Sequence, residues 1–455
     1  MNSVENHDEP SLLTAGCQRL AARGQGWPAL LCGLILAMAV FCGPLDLAEG
    51  SSGDLESRVG RTPGLVLKAS TALAAGLVGT WGLVCVPRAR RLFLTPPGWL
   101  LVAIAAIFFA TCATSITTAS IPIALVFIAY VLFMPTCITV LGLRGTLAAT
   151  LCGVLLFSLG SLLLYIFVPR YGVFSEDFGG GVLIERLGGL SQPNHTGRAA
   201  VIGLLISVYF LRLPRAPRVL CLALISLFLL VGALAMSRTA LLAGGVCLVI
   251  LNLDLMLTRA GMLATCLAML LGIGGVFALA ATGHEDALLK KMLNSLTKTG
   301  DVEEVTHLTG RAQIWERTIE LIKGRPLQGY GLGANKIMLV DHLQSTHNIL
   351  LHPILAAGVA AGGLTLVLLM WNLLNVFISP QLIIRALSAY ILISGLSEDT
   401  IYETFPGGCT LLWMTCCFWP CTFSASQRES SSFSPKAIFS QRRREEPSLF
   451  TAFRS

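Results

Sequence analysis

Apolar runs long enough to cross a bilayer alternate with short polar joints along almost the whole chain, at about 27–45, 64–86, 98–117, 119–142, 146–168, 197–213, 219–236, 240–257, 261–281, 348–377, 380–396 and 407–423. A helix rises about 1.5 Å per residue, so roughly 20 apolar residues cross the hydrocarbon layer. Backbone polar groups in lipid must be satisfied within the segment, which makes each run a helix. The pattern predicts an all-α fold, a polytopic membrane bundle of about 12 transmembrane helices. It divides the chain into a membrane bundle of nine spans over 1–281, with an outer loop at about 169–196, a large loop over 282–346, three last spans over 347–423 and a polar tail over 424–455, expected to be disordered.

Arginine and lysine near the ends of spans set orientation. With the N-terminus in the cytoplasm, the clusters Arg88/Arg90/Arg91 and Arg212/Arg215/Arg218, with Arg144, Arg259, Arg385 and Arg442/Arg443/Arg444, all fall inside. The loops 169–196 and 282–346 and the turn Ser237-Arg238-Thr239 then face outward. Within the large loop, Arg311 to Lys323 spaces Ile314/Trp315, Thr318/Ile319 and Ile322 as one apolar helix face, with Gly324 and Pro326 ending it. This amphipathic helix is expected on the membrane surface or as a cap on the bundle. Gly329-Tyr-Gly-Leu-Gly333 reads as a flexible turn, since no strand precedes it as a nucleotide loop requires.

Composition sharpens the picture. Charged residues make up 13% of 455 and hydrophobic ones 54%, against roughly 25% charged in soluble domains. The net charge of +7 sits in short clusters without interleaved aromatics, which argues for topology signals and against nucleic acid. The 14 cysteines lie in or beside apolar runs and suit packing, with neither a disulfide framework nor zinc-type pairing. Arg19 and Arg23 ahead of Trp27 look like a signal peptide, but without a clean cleavage site an uncleaved first span is expected.

The chemistry-bearing residues gather on the outer side. Arg186, Arg238 and Arg311 come from three different loops, and guanidinium forks suit diphosphate oxygens because they donate paired charge-assisted hydrogen bonds. An arginine between two apolar helices, as in Met236-Ser-Arg-Thr-Ala240, costs about 2.5 to 3.5 kcal/mol to insert and signals a partner. His347 opens an apolar helix, with Asn348 beside it, and a neutral imidazole there can take a proton from a hydroxyl. His352 reads as structural, His195, His307 and His342 are weaker loop candidates, and Glu398 and Asp399 in the last outer turn are possible helpers.

These segments resemble the O-antigen ligase and polymerase family of bacterial envelope enzymes, from Arg186 to Gly363. Arg186-Leu-Gly-Gly-Leu-Ser-Gln-Pro-Asn194 is similar to that family's first outer loop, and Ser237-Arg238-Thr239-Ala240 to its arginine turn. Thr309-Gly-Arg311 with Trp315 and Pro326 to Gly333 are similar to the start of its large periplasmic loop, and His347-Asn348 followed by Gly358 to its histidine motif. Ala361 departs from the family's usual Gly, Thr or Tyr. The resemblance implies transfer of a glycan from undecaprenyl diphosphate to an acceptor hydroxyl at the periplasmic face of the inner membrane, without cofactor or metal. By position it gives His347 the base role, Arg186, Arg238 and Arg311 the lipid-diphosphate role, and Asn194 and Asn348 substrate contacts. The acceptor it implies first is lipid A-core. Polymerisation of lipid-linked repeats and transfer to protein hydroxyls use the same donor. A transporter of lipid-linked sugars, the reading from another class, predicts ionisable residues in mid-span and related halves, whereas the charges here collect at one face.

Overall fold

The computed structural model describes residues 26–45, 62–177, 183–214, 216–256, 258, 311–339 and 345–431. The apolar run 261–281, most of the large loop, His307, His342, Arg259 and the chain end after 431 lie outside the described residues. The structure is mostly helical, 79% helix and 2% strand. Among the described residues five helices are long and apolar enough to cross a membrane, and three more apolar helices are shorter, so the chain is a multi-pass membrane protein. Eleven of the twelve apolar runs coincide with described helices, and the count of twelve spans stands as an expectation.

Helix α1 (Gly26–Cys42) and α2 (Thr62–Cys85) both pack on the longest element. A short basic helix α3 (Pro87–Phe93) and then α4 (Pro96–Ala110) follow, each opened by proline at its first turn, where the missing N–H costs nothing. Helix α5 (Ser120–Phe167) runs for 48 residues but is interrupted at Gly142, with φ 64° and ψ 179°. Unbroken it would be about 72 Å long, more than twice the hydrocarbon thickness. The glycine therefore separates the two spans expected at 119–142 and 146–168. Close approach of α2 to the first half needs glycine: a Cβ at Gly79 would lie 2.6 Å from the Leu132 carbonyl carbon. Small residues let membrane helices approach to backbone contact in this way.

The outer loop after α5 contains a hairpin that the all-α expectation lacked. Strands β1 (Val173–Asp177) and β2 (Leu183–Leu187) pair antiparallel, with Phe174 opposite Arg186. Gly179-Gly180-Gly181 between two short β-forming stretches was the available signal. Helices α6 (Pro193–Leu211), α7 (Arg218–Ala235) and α8 (Arg238–Leu251) continue the bundle. The amphipathic helix α9 (Arg311–Gly324) forms where expected, but its buried face is Ile314, Thr318 and Leu321, while Ile319 is exposed. It packs on Leu339 and Leu355 and so caps the bundle.

Helix α10 (Leu351–Ile378) is broken at Ala357 and Gly358, the latter at φ 80°. The segment expected as a turn is one, with Gly329, Gly331 and Gly333 at positive φ, and it is also stitched into this break. Tyr330 and Gly331 donate N–H bonds to the Leu355 and Ala356 carbonyls at 2.9 and 2.8 Å, and the Val359 N–H donates to the Pro326 carbonyl at 2.8 Å. Ser120 adds a hydroxyl bond to the Leu332 carbonyl at 2.7 Å. Backbone groups freed by the break are thus re-satisfied by protein, as lipid surroundings demand. Helices α11 (Leu382–Gly395) and α12 (Gly408–Ser431) complete the described bundle.

The turn between α11 and α12 is anchored in the core. Tyr402 packs edge-on against Phe108 and Trp413, with ring centroids at 5.2 and 5.7 Å, and its hydroxyl is 2.7 Å from Thr365 Oγ1. This buried anchor fixes the residues just before it, Glu398 and Asp399.

Candidate active site

Four segments that are remote in sequence meet at Glu398, whose side chain is nearly buried. Its Oε1 accepts hydrogen bonds from an Arg311 guanidinium nitrogen at 2.8 Å and from Asn194 Nδ2 at 3.1 Å, and its Oε2 lies 3.2 Å from His347 Nδ1. Burial alone would raise the Glu398 carboxyl. The hydrogen bond from His347 and the charges of Arg198, His347 and Arg311 outweigh it and hold the carboxyl below its ordinary value. Glu398 is therefore an ionised acceptor at the centre of the cluster, a far larger part than a helper in the last turn.

Because a carboxylate can only accept, the His347 Nδ1 facing it carries the proton in the neutral ring, which leaves the lone pair on Nε2. That Nε2 is buried and has no hydrogen-bond partner among the described residues. The residue itself sits at φ 47°, a left-handed conformation that a non-glycine residue adopts only when its surroundings impose it.

Asp399 supplies the constraint. It accepts hydrogen bonds from the backbone N–H of Thr346 at 3.3 Å and of Asn348 at 2.9 Å, the two neighbours of His347. The hydroxyls of Ser345 and Thr346 add bonds at 2.7 and 2.6 Å, and His352 Nδ1 lies at 3.2 Å. Burial would raise this carboxyl, but the His352 charge and the hydrogen bonds from His352, Thr346 and Ser345 hold it well below its ordinary value. His352, stacked over Tyr402, is structural in this sense.

The arginines differ in their use. Arg311 opens α9 and points into the cluster, where it shares Glu398 with His347. Arg186, on β2 and 8% exposed, donates to the carbonyls of Ala235 and Met236 at 3.1 and 3.3 Å and to Asn194 Oδ1 at 3.2 Å. It therefore holds the α7–α8 turn and aims the Asn194 amide at Glu398. Arg238, half-buried, begins α8 two residues after the second of those carbonyls. Asn348 uses its side chain locally: Oδ1 accepts the N–H groups of Leu350 and Leu351 at 2.9 and 3.0 Å, and Nδ2 donates to the Leu396 carbonyl at 3.3 Å. Its geometry is that of a helix-start support rather than of a group turned to a ligand.

Two residues that the sequence reading passed over lie behind this cluster. Arg198, buried on α6, pairs with Glu403 at 3.0 Å and reaches the Asp399 carbonyl at 3.5 Å. Burial raises the Glu403 carboxyl, with Arg198 offsetting part of the effect. An arginine inside the apolar run 197–213 was the signal available. His195, one turn earlier, lines a small cleft with Arg198 and Glu403 and is pushed down to about 3 by burial and by Arg198, which keeps its ring neutral. Among the described residues no three His, Cys, Asp or Glu side chains are grouped to hold a metal ion.

The arrangement offers an oriented imidazole, a carboxylate that stabilises its protonated form and several guanidinium groups on one face of a membrane bundle, the parts of a base-assisted transfer from an anionic leaving group. No curated protein matches the chain. Residues 223–370, about a third of the chain, match the family model described as O-antigen ligase, a stretch that contains Arg238, Arg311 and His347 and stops short of Glu398. The match supports a ligase- or polymerase-type glycosyltransferase, and the matched stretch is consistent with an O-antigen ligase or polymerase family.

Proposed function

We propose that the protein moves a polysaccharide from undecaprenyl diphosphate to an acceptor hydroxyl, as an O-antigen ligase at the periplasmic face of the inner membrane with lipid A-core as acceptor. The observation that carries this reading is His347, with Nδ1 on Glu398 and a buried Nε2 that has no partner among the described residues. In the step, Nε2 takes the hydroxyl proton, the acceptor oxygen bonds to the anomeric carbon, and the carbon–oxygen bond to the diphosphate breaks with its electron pair on the leaving group. Glu398 stabilises the imidazolium that forms. Arg311 and Arg238 hold the departing charge, and Arg186 acts through Asn194 and the α7–α8 turn. A diphosphate is already a good leaving group, so preorganised cations suffice and no divalent ion is required. Attack is direct, with inversion, because both acidic residues of the cluster are committed to histidines and to the turn that holds the base.

Reconstitution with a defined undecaprenyl-linked donor and purified acceptors tests this. Joining of glycan to lipid A-core supports the ligase reading. Elongation of the donor glycan alone would make the protein a polymerase, and movement of the donor across the bilayer that survives His347→Ala would make it a transporter.

A further inference from the structure

One of the two cations assigned above to the leaving diphosphate, Arg311, already has a partner. Arg311 and Glu398 form an ion pair at 2.8 Å, both side chains almost out of water at 13% and 7% exposure. Glu398 thus divides its charge: one oxygen serves Arg311 and Asn194, the other serves His347. We propose that Glu398 is a resident anion that the donor diphosphate displaces from Arg311, and that this exchange commits Glu398 to His347 as the positioning residue of the base. The proposal rests on the reading of Arg311 and His347 given above.

Competing charges drive the exchange. A guanidinium fork prefers two parallel oxygens, and a diphosphate offers more of them and more charge than a carboxylate that bonds it through one oxygen. An incoming diphosphate a few ångströms from Glu398 also repels it in a site this poor in water. The other groups around the carboxylate keep it charged after the exchange: His347 from the 345–348 turn and Arg198 from α6 attract it, and Asn194 still donates, while Glu403 is a like-charged neighbour. Arg311 is the member placed to move. It is the first residue of α9, which is held by one face of Ile314, Thr318 and Leu321 on Leu339 and Leu355, so a small tilt carries the guanidinium away. Glu398 is fixed by the Tyr402 anchor. Donor binding therefore readies the base, and the imidazole gains its full counter-ion only when a leaving group is in place.

The test separates binding from chemistry with inorganic pyrophosphate as the probe and the full-length protein in lipid nanodiscs. Removing the resident anion in Glu398→Gln is expected to tighten pyrophosphate binding roughly 5- to 150-fold, the usual range of such couplings, while slowing glycan transfer about 100-fold or more. Glu398→Asp, which keeps the charge but withdraws it from Arg311, is expected to shift both quantities the same way by less, and serves if the glutamine variant does not fold. With 15N-histidine, saturating pyrophosphate is expected to move the His347 Nδ1 resonance in the wild-type protein and to leave it in place in Arg311→Ala. Equal or weaker pyrophosphate binding in both Glu398 variants, or an unmoved His347 resonance in the saturated wild type, would overturn the exchange and leave the diphosphate site standing. Absence of pyrophosphate binding by the wild type would instead remove the diphosphate site itself.

Discussion

A histidine at φ 47° costs about 1 to 2 kcal/mol of backbone strain, and the amides of Thr346 and Asn348 on Asp399 are what hold it there. Two outcomes follow at this scale. His347→Ala should lower transfer by roughly 10²- to 10⁴-fold while the protein still inserts and binds pyrophosphate, measured by turnover and titration on the same preparation. Asp399 should appear in the pH dependence of stability. Its folded carboxyl is held well below the ordinary 3.8, so its contribution is present above about pH 4 and is lost as pH falls through the folded value. Melting curves in detergent should show Asp399→Asn less stable than the wild type at pH 7, with the gap closing on acidification. A constant gap would mean that Asp399 acts without its charge. The sequence made His347 and the arginines visible because each sits at the edge of an apolar run, where polar groups are conspicuous. It could not rank Glu398 and Asp399, because their partners lie 47 to 204 positions away in the chain.

At the level of elements, the site depends on two departures from regular helix, the Met236 turn before α8 and the break in α10. Gly358 has φ 80°, and a Cβ there would lie 2.1 Å from the Leu327 carbonyl oxygen. Gly358→Ala should therefore cost about 1 kcal/mol for the backbone conformation alone and more for displacing the 326–331 segment, seen as reduced folded yield in fluorescence-detected gel filtration. A variant with unchanged yield and melting temperature would mean that the stitched break is not needed for folding. Helical spans and the amphipathic α9 were legible because apolar periodicity decides them. The break in α10 was not, since Leu351 to Ile378 reads as continuous apolar helix. Nor was the buried face of α9, whose choice of Leu321 over Ile319 is set by Leu339 and Leu355.

For the whole molecule, the bundle puts Arg186, Arg238, Arg311, His347 and Glu398 at one end, and the proposal that this end faces outward rests on the positive-inside pattern. In a background with the exposed Cys85 and Cys152 replaced by serine, a cysteine at exposed Leu327 should react with a membrane-impermeant maleimide in intact spheroplasts, and one at exposed Arg90 only after lysis. The reverse pattern would invert the topology and remove the periplasmic assignment. What tests the central claim most directly is single-turnover transfer from a defined undecaprenyl-diphosphate-linked glycan to lipid A-core by the reconstituted protein, run with a chelator present. The account predicts acceptor-joined glycan at an undiminished rate for the wild type and loss of joining in His347→Ala with donor still bound. Transfer that persists in His347→Ala, or that requires an added divalent cation, would contradict it.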